Sequence, residues 1–230
     1  MAIRKVDYIK NLVRKPWGYE YVIYSDKNKI AITYLNINYQ KQTSLHCHPK
    51  KKTGFIILKG KAKVQIGIYK KNSKIFGPNS RLVFRPGLFH SLKSISKKGL
   101  IALEFEAPFI KQDLIRLNDK YGRATKGYEG KKSFRAITNL LKFQKPKKNQ
   151  KLTYQLKNIK ITIENISSIK KLLKYKDEST CAILDGSLVD TKGQSVISYG
   201  EVIKTNTIGI LAKSFTLKKP ITILKIEKKL

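Results

Sequence analysis

The sequence predicts an all-β protein: a larger β-domain first, then a smaller one. Three observations carry this. Short runs rich in Val, Ile, Tyr and Phe recur through the first half, the composition of half-buried strands. Gly, Pro and Asn pairs punctuate them at close intervals, as turns in a sandwich or barrel require. A charged stretch, "KPKKNQK" (145–151), then separates this half from a second set of apolar runs.

In order, the first half offers "YEYVIY" (19–24), "IAITYLNI" (30–37), "TSLHCH" (43–48), "GFIIL" (54–58), "AKVQIGIY" (62–69), "RLVFR" (81–85) and "LIALEFEA" (100–107). Turns fall at Lys59-Gly60, Gly77-Pro78-Asn79 and Pro86-Gly87, the last opening a segment that contains His90. The period then changes. Ile110, Leu114 and Leu117 within 109–123, and Phe134, Ile137, Leu140 and Leu141 within 131–144, are spaced as on a helix face. Strands resume at "KITIEN" (160–165), "TCAILDG" (180–186), "SVISYG" (195–200), "IGILAKSF" (208–215) and "ITILKI" (221–226). The expected organisation is an N-terminal domain at 1–125, a helical connector and charged linker at 126–151, and a C-terminal domain at 152–230.

At 230 residues the chain can bury a sizeable core. It has no apolar run long enough to span a bilayer, so no membrane partner is expected. The basic N-terminus lacks the apolar core of a signal peptide, and Cys47 and Cys181 are too few and too far apart for a disulfide framework. A cytoplasmic location is the expectation.

The net charge is +34, from 49 basic and 15 acidic residues. Seven of the basic residues are Arg, all before Ile137; the other 42 are Lys, dispersed along the chain. Recognition of bases and phosphates favours the bidentate Arg fork. Lys, Ile and Asn are abundant throughout, as translation of an AT-rich genome gives. No specific nucleic-acid partner is expected; a small anionic molecule is.

All three histidines lie in the first half. His46 and His48, two apart on a strand, leave the same face, and His90 supplies a third imidazole from a neighbouring segment. Three imidazoles suit one divalent first-row transition metal: Zn, Fe, Mn or Ni. Lys50, Lys51 and Lys52 follow the pair and form a cationic rim, with Lys52, Thr53 and Arg85 the candidates for substrate contact. On "IALEFEAP", Ala102, Glu104 and Glu106 share one face and Ile101, Leu103 and Phe105 the other. Glu104 is the expected catalytic acid or base, ahead of Glu106. Arg116 is expected to pair with Asp113 or Asp119 on a helix, and Trp17, the only Trp, to pack on the barrel's outer wall.

These residues carry a resemblance. His46-x-His48, position 53 and Gly60 resemble the first cupin motif, and Gly77 with Pro86 and His90 the second. "KPWGYEYVIY" (15–24), "SLHCH", "RPGLFH", "LEFEAP" and "DLIRLNDKYGR" (113–123) resemble, in order, the cupin domain of type II mannose-6-phosphate isomerases over residues 15–123. The pattern departs where the family has Gln (His46), Glu (Thr53) and His (Gly54). Glu104 matches the Glu of the family's equivalent strand. "CAILDGSLVD" (181–190), with Gly186, and "SYGEVIKTNTIG" (198–209) resemble a degenerate second cupin half without His, read as a structural or dimerising unit.

The resemblance implies a double-stranded β-helix, the cupin jelly roll, followed by a smaller degenerate cupin-like β-domain: a bicupin that forms a homodimer. It implies binding of, or isomerase- or epimerase-like action on, a phosphorylated sugar or nucleotide sugar in carbohydrate or surface-polysaccharide metabolism. Two other functions fit the same residues: a three-His Fe(II) oxygenase on a small anionic substrate, and a non-catalytic ligand-binding module.

Overall fold

A computed structural model describes residues 8–27, 29–124, 126–136, 140–156 and 158–228. The chain forms two compact units, Met1–Ser80 with Phe84–Lys142, and Arg81–Val83 with Phe143–Leu230.

The first twelve strands, all in the first unit except Arg81–Val83 of β8, are β1 (Asn11–Lys15), β2 (Gly18–Asp26), β3 (Ile30–Ile37), β4 (Leu45–Cys47), β5 (Lys52–Lys59), β6 (Ala62–Ile66), β7 (Ser73–Phe76), β8 (Arg81–Phe84), β9 (His90–Ser94), β10 (Leu100–Ala107), β11 (Ile115–Asn118) and β12 (Phe134–Ala136). Two antiparallel sheets result, ordered β12-β1-β2-β3-β10-β5-β8 and β11-β4-β9-β6-β7. Within them β3 to β10 pass from one sheet to the other at each step except the β6–β7 hairpin, giving 3-10-5-8 and 4-9-6-7. That is the winding of a double-stranded β-helix, as expected.

The central strands of the larger sheet are buried on both faces. Ile30, Ile32, Ile56, Ile57, Leu103 and Phe105 are all enclosed. Gly18 fixes the entry of β2. Its φ is +146°, and a Cβ there would lie 2.0 Å from the Asn36 carbonyl oxygen of β3, so only glycine permits this approach.

The helical expectations for 109–123 and 131–144 are corrected. The first stretch contains β11, whose register sets Ile115 opposite Cys47 and Arg116 opposite His46. It covers an edge of β4 whose backbone groups would otherwise lack partners. That need outweighs the spacing of Ile110, Leu114 and Leu117. The second stretch forms a 3-10 turn at Lys131–Ser133 and then β12, which pairs with β1; Ile137 lies outside the described residues. The connector is therefore not an α-helix among the described residues, and 147–150 form a turn before the next strand.

The second unit contains β13 (Lys151–Leu156), β14 (Ile159–Ile166), α1 (Ile169–Leu172), β15 (Thr180–Val189), β16 (Ser195–Ser198), β17 (Val202–Lys204), α2 (Thr205–Leu211) and β18 (Thr216–Lys228). Its one sheet runs β13-β14-β18-β15-β16, with β17 also on β15. No second sheet faces it among the described residues. Residues 208–215, expected as a strand, instead complete α2 to Leu211 and form the turn after it: Ile208 and the C-cap Ala212 lie one turn apart in a core with Cys181, Ile183 and Ile223. Gly186 (φ +79°) lets β15 approach β18, since a Cβ there would lie 2.5 Å from the Pro220 oxygen. No helix among the described residues is long and apolar enough to cross a membrane.

Candidate metal centre and its cavity

His46 on β4 pairs in register with His90 on β9, and His48 follows two residues after His46. Their ligating nitrogens lie within 4.8 Å of one another, and all three rings are buried. Each Nδ1–H donates to a backbone carbonyl: His46 to Ser44 at 2.8 Å, His48 to Asp113 at 2.6 Å, His90 to Leu88 at 3.0 Å. The other nitrogen, Nε2, is thereby left with its lone pair. The Nε2 atoms of His48 and His90 are enclosed and have no partner among the described residues. The Phe84 ring stacks on His90 at 4.3 Å and 2°, fixing its plane.

Burial lowers the imidazole pKa values. His46 falls well below the usual range, with His90 and His48 adding to the effect of burial. His48 falls to about 3, through burial and the Lys51 charge. His90 falls to about 4, chiefly through burial. Three neutral imidazoles with fixed tautomers and converging nitrogens, those of His48 and His90 unpartnered among the described residues, are what a divalent transition metal needs. The residues present therefore fit a metal held by His46, His48 and His90.

His46 and His48 line a cavity of about 60 Å³ that also meets Trp17, Glu104, Glu106, Lys51 and Lys111; the His90 ring lies 4.6 Å from that of His46. Trp17 thus lines the site rather than the outer wall. Glu106 is the hub of the opposite side. Its carboxylate accepts from Lys51 Nζ at 2.5 Å, Lys111 Nζ at 2.6 Å and Thr33 Oγ1 at 2.7 Å. Burial would raise its pKa, but Lys111 and Lys51 outweigh burial and hold it below the usual carboxylate range. Glu104, two residues back on the same face, has no hydrogen-bond partner among the described residues. Burial and the neighbouring Glu106 push its pKa up to about 8. The two acids of one strand face are thus split into a fixed anion and a group that titrates near neutrality.

The remaining expected residues separate. Thr53 is buried, sits opposite Glu106 in the β5–β10 register, and its Oγ1 is enclosed without a partner among the described residues. Lys52 and Arg85 are not among the residues lining the cavity, and Arg85 is exposed. The lysine that enters is Lys51. The Asp113 carboxylate accepts the backbone N–H groups of Lys50 and Lys51, both at 3.0 Å, and this turns Lys51 inward. Arg116 pairs with neither expected aspartate. Its Nη1 donates to the Gly127 carbonyl at 2.7 Å and its Nη2 lies 3.5 Å from Glu129.

Glu129 also receives Arg123 at 2.5 Å and is paired with Lys15. Tyr128 donates to Glu20. The stretch carrying Asp119, Arg123, Tyr128 and Glu129 is thus latched across the cavity by buried charges. Sequence spacing gave no sign of this latch or of Lys111.

No protein-family model matches the chain, and no curated protein matches it. Several solved structures resemble it at low identity. A candidate sugar phosphate isomerase from Acidithiobacillus ferrooxidans is 19% identical, covering 38% of this chain at a TM-score of 0.34; this chain spans 56% of that protein's length. A sugar phosphate isomerase of the cupin superfamily from Silicibacter pomeroyi is 8% identical, covering 48% of this chain and 78% of its own at 0.39. A Klebsiella pneumoniae protein with a double-stranded β-helix domain is 15% identical, covering 46% and 78% at 0.36. Likenesses this distant say nothing of activity.

Proposed function

We propose that the first unit binds one divalent metal and a small polyhydroxylated anion, a sugar phosphate or nucleotide sugar, and moves a proton on it as an isomerase or epimerase would. The observation that carries this reading is Glu104. Its carboxyl is unbonded among the described residues, titrates near neutrality, and shares a cavity with His46 and His48, whose ligating nitrogens converge with that of His90. A general acid–base works best with a pKa near the operating pH.

When bound, a metal on His46, His48 and His90 supplies Lewis-acid polarisation of a carbonyl or hydroxyl oxygen. Glu104 takes the proton from the carbon next to that carbonyl and returns it to the carbonyl carbon, while a proton passes from the neighbouring hydroxyl to the former carbonyl oxygen; returned instead to the opposite face of the same carbon, it gives the epimer. Glu106 keeps Glu104 from ionising too readily by its fixed charge. Lys51 and Lys111 hold Glu106 ionised and leave the wall cationic, which favours an anionic ligand. Trp17 gives the cavity one apolar side. At about 60 Å³ the cavity takes only a few waters, so a sugar enters by opening the Glu129 and Tyr128 latch. Two buried free cysteines, Cys47 and Cys181, fit the cytoplasmic location we propose.

The test is hydrogen exchange. The metal-loaded protein is incubated with hexose phosphates in heavy water, and deuterium at the carbon next to the carbonyl is followed by NMR. E104Q should lower exchange by roughly 10²- to 10⁴-fold with its metal content unchanged. Full exchange in E104Q would overturn the assignment of Glu104, and the absence of stoichiometric metal would overturn the metal centre.

A further inference from the structure

A second concavity lies on the opposite face of the smaller sheet. Along β9 the side chains alternate: His90 and Leu92 point toward the metal-site interior, Ser91 and Lys93 outward. The outward face forms a groove of about 290 Å³ whose lining includes Lys63, Lys70, Ser91, Lys93 and Lys120. No Asp or Glu lines it. None of the four ammonium groups has an ion-pair partner among the described residues.

Two features go beyond the general lysine excess. Lys63 on β6 sits directly opposite Lys93 on β9, a like-charge cross-strand pair that destabilises a sheet. Ser91 is 6% exposed, and no hydrogen bond to its hydroxyl exists among the described residues, so a buried donor faces the groove unused. The volume is near the lower end of small-ligand sites, roughly 300–1,000 Å³. No aromatic ring is present on which a base could stack, and no Arg is present to clamp a single phosphate bidentately.

We infer that this groove binds a small multiply charged oxyanion, a condensed phosphate or a metabolite bearing two or more phosphoryl groups. Four ammonium point charges set around a concavity answer several separated anionic oxygens, and Ser91 donates one directed hydrogen bond. Binding relieves the Lys63–Lys93 repulsion, so the ligand and the sheet stabilise each other. The site is separate from the histidine cavity and independent of the function proposed for it.

Calorimetric titration of the full, EDTA-treated chain with inorganic tripolyphosphate tests this at about 50 mM and about 200 mM salt. One site per chain is expected, with orthophosphate much weaker. K63Q/K93Q should weaken binding roughly tenfold or more, while K97Q/K98Q, exposed lysines in the turn after β9, should change it less than twofold. The unliganded K63Q/K93Q protein should melt no lower than wild type, because a repulsion has been removed. The absence of a one-site isotherm, equal losses in both variants, or tighter binding of short duplex DNA than of tripolyphosphate would overturn the inference.

Discussion

Glu104 and Glu106, two residues apart on one strand face, should respond oppositely to the same substitution. Glu106 is the carboxylate shared by two buried ammonium groups at 2.5 and 2.6 Å. E106Q leaves Lys51 enclosed without its counter-charge and Lys111 with only Glu20, at 3.7 Å, and breaking a buried pair costs about 3–5 kcal/mol. For a chain this size that is a fall of roughly 6–20 °C in thermal midpoint. Glu104 behaves otherwise. Its folded pKa of about 8 stands above the ordinary 4.5, so between those values the folded state holds a proton that the unfolded state has lost. Stability therefore falls as pH rises through this window, by on the order of a few kcal/mol in total. E104Q mimics the protonated acid and lacks that loss. It should match wild type near pH 4.5 and become the more stable protein by pH 8. For Glu106 the sign is reversed: its folded pKa is depressed, so its stabilisation is present above 4.5 and fades as pH falls below it. Urea denaturation of EDTA-treated proteins at a series of pH values reads both. An E104Q curve parallel to wild type across pH, or an E106Q loss under about 1 kcal/mol, would refute the division of roles.

H48A should lose stoichiometric metal by elemental analysis, and a triple histidine-to-alanine variant that keeps its metal would rule out this centre. G18A should destabilise by about 2 kcal/mol or more by urea titration, since the left-handed φ and the 2.0 Å approach to the Asn36 oxygen both oppose a Cβ; a change below about 0.5 kcal/mol would show that β2 re-routes freely. Limited trypsin treatment should cut first at Lys147 or Lys148, exposed in the turn before β13. First cleavage inside β3 to β10 would count against two separable domains at this boundary.

The parts legible in the sequence were those set by local pattern. The runs 30–37, 54–58 and 100–107 are β-branched and apolar enough to be strands in any context, and β3, β5 and β10 form there. The histidine spacing sufficed because strand parity alone puts His46 and His48 on one face. Strands held by distant partners were not legible. β11 has helical spacing and is a strand because β4 needs a neighbour. Residues 208–215 have strand-like composition, yet Ile208 and Ala212 serve the core one helical turn apart. The choice of Lys51 over Lys52 depends on an aspartate 62 residues away, and the Glu129 latch on charges contributed from Lys15 to Arg123. Long-range electrostatics of this kind leave no periodic trace.

The alternation along β9 has a consequence for how the chain can change length. His90 serves the interior and Ser91 the outer groove, so both sites share one strand and one register. A single residue inserted or deleted between Gly87 and His90 exchanges the two sets of side chains. The imidazole would then face solvent and a serine would stand in its place, while Lys93 would be driven inward. The turn at Ser96–Gly99, closed by its own hydrogen bond, lies beyond the pairing with His46 and can absorb an extra residue without that exchange. Length variation in this unit should therefore collect after β9 and be purged before it. A library of one-residue insertions scored for soluble yield would display that asymmetry directly.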